Sequence, residues 1–187
     1  MGAHLRQPHL LLAGLRAAGK SSVAALLAAR LRCEAADLDD RTAALLGEPT
    51  AGDAFRRHGE PAFRRAEREA LAAALADRAR VIALGGGTPV APGARELIDA
   101  ARRSGDALVV FLDVPLATLA ARLSRDAGDR PSLTGKGVVA EIEEVARQRR
   151  PVYQGIADLV IDGEASTRDA ADIAEQIAAF VDRRGER

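Results

Sequence analysis

The sequence predicts an α/β domain, a mostly parallel sheet with helices on both faces, and three observations point there. Short apolar runs without polar alternation read as strands covered on both sides, and helical patterns separate them. The first run leads directly into a glycine-containing loop that opens a helix. The 187 residues suffice for one domain, and 48% apolar with 29% charged residues supplies both a core and a solvated surface.

Leu10 to Leu15 is the first strand, followed by Gly14-Leu15-Arg16-Ala17-Ala18-Gly19-Lys20-Ser21 and the helical pattern Val23 to Arg32. Backbone amides of such a loop curl round a polyphosphate, and Lys20 and Ser21 stand at a helix N-terminus whose partial positive charge faces the anion. Only Lys20 and Lys136 among the 27 basic residues are lysine. A compact ammonium reaches between two phosphates where a guanidinium fork does not fit, so this arginine-rich chain keeps lysine at the loop. Ser21 places a hydroxyl where Mg2+ bridges the outer phosphates.

Cys33 to Leu38 is a weaker second strand, running into Asp37-Leu38-Asp39-Asp40. Strand alternation puts Asp37 and Asp39 on one side, where one holds magnesium through water and the other takes the proton of an attacking hydroxyl. Asp39 or Asp40 also suits the cap of a following helix. Asp39 to Phe63 reads as a polar insertion, and Ala62 to Ala76 as a long helix in which one of Arg64 and Arg65 faces inward; Glu60, Glu67 and Glu69 read as surface partners.

Ala79 to Leu84 is the third strand, and Gly85-Gly86-Gly87 at its C-terminal end permits close backbone approach to a ligand or a tight turn. Pro92 to Arg102, Leu116 to Leu123, Val138 to Arg149 and Ala170 to Phe180 carry helical spacing, and Ala107 to Leu112 and Ala157 to Ile161 complete the strands. Arg125 to Gly137 is a Gly, Pro and Arg-rich loop suited to a mobile lid, with Arg130 before Pro131 able to reach a transferring phosphoryl group. Arg149 ends a helix, where a cation also complements the dipole. Asp182 to Arg187 reads as a frayed tail.

Zero formal net charge leaves no basic field for a nucleic acid, so the expected partner is a small anionic molecule. Cys33 is the only cysteine, so no disulfide forms within the chain. No apolar stretch nears a membrane span of about 20 residues, and Met1 to Pro8 lacks a secretion signal's apolar region; cytoplasmic location and no membrane contact are expected.

These motifs, in order, resemble shikimate kinase over about Leu10 to Asp162. The resemblance rests on Gly14 through Ser21, Asp37-x-Asp39, Gly59-Glu60-x-x-Phe63-Arg64-x-x-Glu67, Gly85-Gly86-Gly87, Arg130-Pro131 and Arg149-x-Pro151-x-Tyr153. It implies a three-layer P-loop NTPase fold with a five-stranded parallel sheet ordered 2-3-1-4-5, a substrate-binding insertion at 39–64 and a lid at 125–137. It implies a monomer that uses ATP and Mg2+ to phosphorylate the 3-hydroxyl of shikimate. By the same resemblance Gly14, Leu15, Arg16, Ala17, Ala18, Gly19, Lys20, Ser21 and Ser22 bind nucleotide phosphates, with Ser21 and Asp37 at the metal and Arg122 on adenine. Asp39 is the base and contacts substrate hydroxyls, Arg64 and Arg149 hold the substrate carboxylate beside Gly85, Gly86 and Gly87, and Arg130 reaches the phosphoryl group, with Lys20, Asp39 and Arg130 the catalytic set. Ala17 departs from the glycine usual there, so a positive φ would strain the loop. The alternatives are a related kinase acting on gluconate or a nucleoside monophosphate, and a silent ligand-sensing domain.

Overall fold

Each apolar run becomes a strand because both sides of the sheet are covered. In the computed structural model, which describes residues 7–77, 79–125, 138–162 and 168–185, the strands are β1 (His9–Ala13), β2 (Glu34–Asp37), β3 (Ala79–Ala83), β4 (Ala107–Asp113) and β5 (Leu159–Asp162). All pair in parallel, in the order β2-β3-β1-β4-β5 that the resemblance implies. Along β1 the side chains alternate between two cores. Leu10 and Leu12 join Val81, Leu27 and Ile177 on one side; Leu11 and Ala13 join Ile82, Leu71 and Ile98 on the other. Every one of these β1 residues has no exposed surface, and each such leucine contributes on the order of 2 kcal/mol.

Helices α1 (Lys20–Leu31), α2 (Leu38–Leu45), α3 (Ala51–Ala76), α4 (Ala94–Arg103), α5 (Leu116–Arg125), α6 (Val138–Ile156) and α7 (Ala170–Gly185) complete the described residues, with a short 3-10 turn at Thr88–Val90. The connections after β1, β2 and β3 emerge at the C-terminal edge of the sheet, where parallel α/β folds hold their ligands.

Three elements differ from the sequence reading. The polar insertion at 39–64 is helical: α2 is capped by the Asp37 side chain, and α3 starts at Thr50, whose hydroxyl accepts from Asp53 N at 3.1 Å. Apart from Phe63 its buried face is carried by Ala43, Ala54 and Thr42, so the apolar periodicity is faint in sequence. At Gly59 α3 breaks, with φ 73° and ψ 166°, and a second helical segment sets out just ahead of Pro61. Helix α6 passes Arg149 and Pro151 to Ile156 because Tyr153 and Ile156 are fully buried on it. Helix α7 likewise continues past Asp182 to Gly185, anchored by buried Val181 and by Arg184 stacked 5.4 Å from the Phe180 ring centre. The stretch 126–137, with Arg130 and Lys136, lies outside the described residues.

Candidate active site

The loop after β1 closes on itself through Lys20, whose Nζ donates to Gly14 O and Leu15 O, both at 3.1 Å. Its glycine at the helix boundary, Gly19, has φ 88°, and Val23 N donates to Gly19 O at 3.0 Å, so α1 presents its first amides to the loop interior. Leu15 and Ala18 turn into the core, whereas Ser21 and Ser22 are exposed. Ala17 does take a left-handed backbone, φ 63°. An alanine there costs about 1–2 kcal/mol relative to an unstrained residue. Arg122 on α5 compensates, its Nη1 donating to Ala17 O at 3.1 Å and pinning the strained peptide.

Ser21 and Asp37 meet across the loop, Oγ donating to Oδ2 at 2.5 Å. Asp37 does not share a strand face with Asp39, as alternation suggested, because β2 ends at Asp37 and Asp39 already lies in α2. Its other oxygen caps that helix, accepting from Asp39 N at 3.0 Å. The cap therefore falls on Asp37 rather than on Asp39 or Asp40. The turn still brings Asp39 to the end of β3, where a Cβ placed on Gly85 would lie 2.6 Å from Asp39 Oδ1, while Asp37 stays against Ser21.

Gly85, Gly86 and Gly87 form the floor on which the remaining groups converge. The same Cβ on Gly85 would meet Glu67 Oε1 at 2.8 Å and Thr88 Oγ1 at 3.0 Å, and one on Gly87 would meet Arg64 Nη1 at 2.6 Å. Side chains cannot share that space, so Gly85 and Gly87 serve close approach as well as the turn. Gly86 O accepts from Arg149 Nη1 at 2.7 Å and from the Tyr153 hydroxyl. On its other side, a Cβ on Gly86 would be 3.6 Å from Arg16 N, so the triplet abuts the phosphate loop.

Of the paired arginines Arg64 is the inward one. Its Nη1 donates to Glu67 Oε2 at 2.8 Å, and its Nε and Nη2 face Glu60 Oε1 at 3.4 Å. Burial alone would lower the Arg64 pKa; the adjacent Glu67 and Glu60 carboxylates together outweigh it, and the guanidinium stays charged. A cleft of about 620 Å³ opens here, its wall including Glu60, Arg64, Gly87 and Arg149.

Sequence reasoning missed Glu67, Thr88 and Tyr153 as parts of this site. Glu67 read as one more exposed helix acid, yet it is 1% exposed. Tyr153 is fully buried, edge-on to Phe111 at 5.3 Å between ring centres, and burial pushes its pKa up to about 12 against the opposing charge of Arg149. The available signals were the Arg64-x-x-Glu67 and Arg149-x-Pro151-x-Tyr153 spacings, each of which puts its pair about one turn apart on a single helix face.

A parallel sheet with this strand order, a glycine-bounded loop after β1 closed by Lys20, and a polar cleft at the same sheet edge are the build of a P-loop kinase of small molecules. A family model described as shikimate kinase matches residues 16–182. The chain is 41% identical over 172 residues to a shikimate kinase of Nitratidesulfovibrio vulgaris, covering 91% of this chain and 93% of the relative. It is 38% identical to one of Rhodopirellula baltica, covering 84% and 83%. Its fold superposes on a shikimate kinase from Acinetobacter baumannii in complex with shikimate, with TM-score 0.81 and 27% identity over 95% of this chain and 94% of that one. The chain belongs to the shikimate kinase family.

Replacing Ala17 by Gly should stabilise the protein by about 1 kcal/mol in denaturant unfolding, because the left-handed backbone no longer carries a Cβ. A neutral or negative change would mean the loop is unstrained. Tyr153 is the only tyrosine, so absorbance near 295 nm reads it alone. The native protein should hold its phenol protonated through pH 10 and ionise near 12. Between those values the native state binds more protons than the unfolded one, so this group's contribution to stability falls as pH rises. An ionisation midpoint near 10 in the folded protein would contradict the buried placement.

Proposed function

We propose that the chain catalyses transfer of the γ-phosphoryl group of MgATP to the 3-hydroxyl of shikimate, giving shikimate 3-phosphate. The observation that carries it is convergence on one glycine strip: the loop after β1 abuts Gly86, the guanidinia of Arg64 and Arg149 meet Gly87 and Gly86, and the Asp39 carboxylate lies beside Gly85. Planar carboxylates call for guanidinium forks, and a hydroxyl about to attack calls for a nearby acceptor of its proton.

The proposed roles follow the geometry. Arg64 and Arg149 hold the substrate carboxylate over Gly86 and Gly87, turning the ring hydroxyls toward Asp39, which accepts the proton as the new O–P bond forms. Lys20 leaves its own loop carbonyls to sit against the β- and γ-phosphates, while the α1 amides and the 14–19 backbone take the remaining oxygens. Arg122, already against the loop, borders the nucleotide side. Arg130 is proposed to reach the phosphoryl group from the lid at 125–137, and the 39–64 helices to clasp the substrate. Catalysis is then mainly positioning and charge stabilisation.

Ser21 and Asp37 fit Mg2+, being hard oxygen donors already adjacent at 2.5 Å. Among the described residues no group of three or more His, Cys, Asp or Glu could hold a metal alone, so the ion would come with the nucleotide and complete its shell with phosphate oxygens and water. When bound it would offset charge on the outer phosphates. The described helices include none long and apolar enough to cross a membrane. We further propose a monomer acting in the cytoplasm, where the free Cys33 thiol, its pKa raised chiefly by burial, persists unoxidised.

The test is purified protein with MgATP and shikimate, product followed by mass. Wild type should form shikimate 3-phosphate, Lys20→Ala should lose at least about a hundredfold in kcat/KM, and Arg64→Ala should raise the shikimate KM by about 10- to 100-fold with little change for ATP. No product from shikimate, with product from gluconate or AMP instead, would overturn the assignment.

A further inference from the structure

We infer that Thr88 is a positioning residue for the acceptor carboxylate, acting through Glu67 on Arg64; the inference rests on the acceptor assignment above. Thr88 has no exposed surface and Glu67 is 1% exposed. The Thr88 hydroxyl donates to Glu67 Oε1 at 2.7 Å, and Glu67 Oε2 accepts from Arg64 Nη1 at 2.8 Å. A three-member chain thus runs from the turn after the glycine triplet to the cleft.

The geometry decides which edge of the guanidinium meets a ligand. Arg64 and Glu67 are three residues apart on α3, so their contact is local to one helix. The terminal torsion of a glutamate is broad, and helix contacts alone leave its carboxylate free to turn. Thr88 comes from a different element and removes that freedom. Its own hydroxyl is fixed in turn, because the side chain is β-branched and the residue's N–H donates to Gly85 O at 3.1 Å. With Oε1 held by Thr88, Oε2 takes Nη1, and the Nε–Nη2 edge of Arg64 is left toward Glu60.

That edge carries two parallel N–H groups, the arrangement that grips a carboxylate with both of its oxygens. Glu60 meets it with a single oxygen at 3.4 Å from both nitrogens, and its side chain is 63% exposed. Such a contact is long and solvated, so a two-oxygen ligand displaces it readily. Thr88 therefore tunes acceptor binding without touching acceptor or nucleotide. Gly85 makes room for the chain, since a Cβ there would crowd both Glu67 Oε1 and Thr88 Oγ1.

Thr88→Val keeps the shape and removes the hydroxyl; Thr88→Ser keeps the hydroxyl. Thr88→Val should raise the shikimate KM about tenfold, the scale of one lost hydrogen bond to a charged group. Its kcat should stay within about threefold of wild type and its KM for MgATP should not move, because the lost group acts on carboxylate binding alone. Thr88→Ser should restore the shikimate KM to within about twofold of wild type. An unchanged KM in Thr88→Val, a rise in both KM values together, or a Thr88→Ser protein as impaired as Thr88→Val would overturn the inference. Should Thr88→Val not fold, Thr88→Ala carries the same expectations and the same contrary results. A wild type unable to phosphorylate shikimate would instead sink the functional assignment, an outcome distinct from a normal wild type with an unaffected Thr88→Val.

Discussion

Three consecutive residues without a Cβ set the geometry of the acceptor end. Asp39, Glu67 and Thr88 all reach within about 3 Å of the place a Gly85 side chain would fill, Arg64 does the same at Gly87, and Arg149 and Tyr153 both hold Gly86 O. Four elements, α2, α3, the Thr88 turn and α6, are thereby drawn to one strip of backbone at the end of β3. Because β3 pairs with β1, that strip also lies against the phosphate loop, and the two halves of the cleft are held by the same sheet.

Burial then demands partners. Glu67 is a carboxylate removed from water, a state tolerated only when its oxygens are partnered, and Thr88 and Arg64 supply those partners from two elements. Tyr153 meets the same demand with a carbonyl, and the ion pair of Arg150 Nη2 with buried Asp113, at 2.7 Å, ties α6 to the end of β4. Arg149 is thus set on a helix anchored at neighbouring positions, which keeps its guanidinium at the floor. The phosphate loop carries the opposite bargain: Ala17 holds a backbone suited to glycine, and Arg122 steadies it.

Much of this was legible in the residues. Strands covered on both faces betray themselves as unbroken apolar runs, and Leu10 to Leu12 did so; the lysine kept at position 20 of an arginine-rich chain identified the loop. Asp39, Arg64, Gly85 to Gly87 and Arg149 do converge, as their motif order implied. The insertion was harder to read because, Phe63 apart, its buried face is built from alanine and threonine, which give little contrast with polar neighbours. Asp39 was read as sharing a strand face with Asp37 when it already lies in α2, since a β-to-α switch leaves no mark in a two-residue spacing. Glu67 and Thr88 were opaque for a deeper reason: a buried carboxylate and a solvated one have the same letter, and only the packing of α3 against the turn after β3 tells them apart.

The three atoms nearest a Gly85 side chain belong to Asp39, Glu67 and Thr88, so Gly85→Ala separates the acceptor end from the nucleotide end. Calorimetric titration of that variant should show shikimate affinity reduced at least about tenfold, as the new methyl displaces Asp39, Glu67 and Thr88, while MgADP binds as to wild type. Undiminished shikimate binding, or an equal loss for both ligands, would contradict the account.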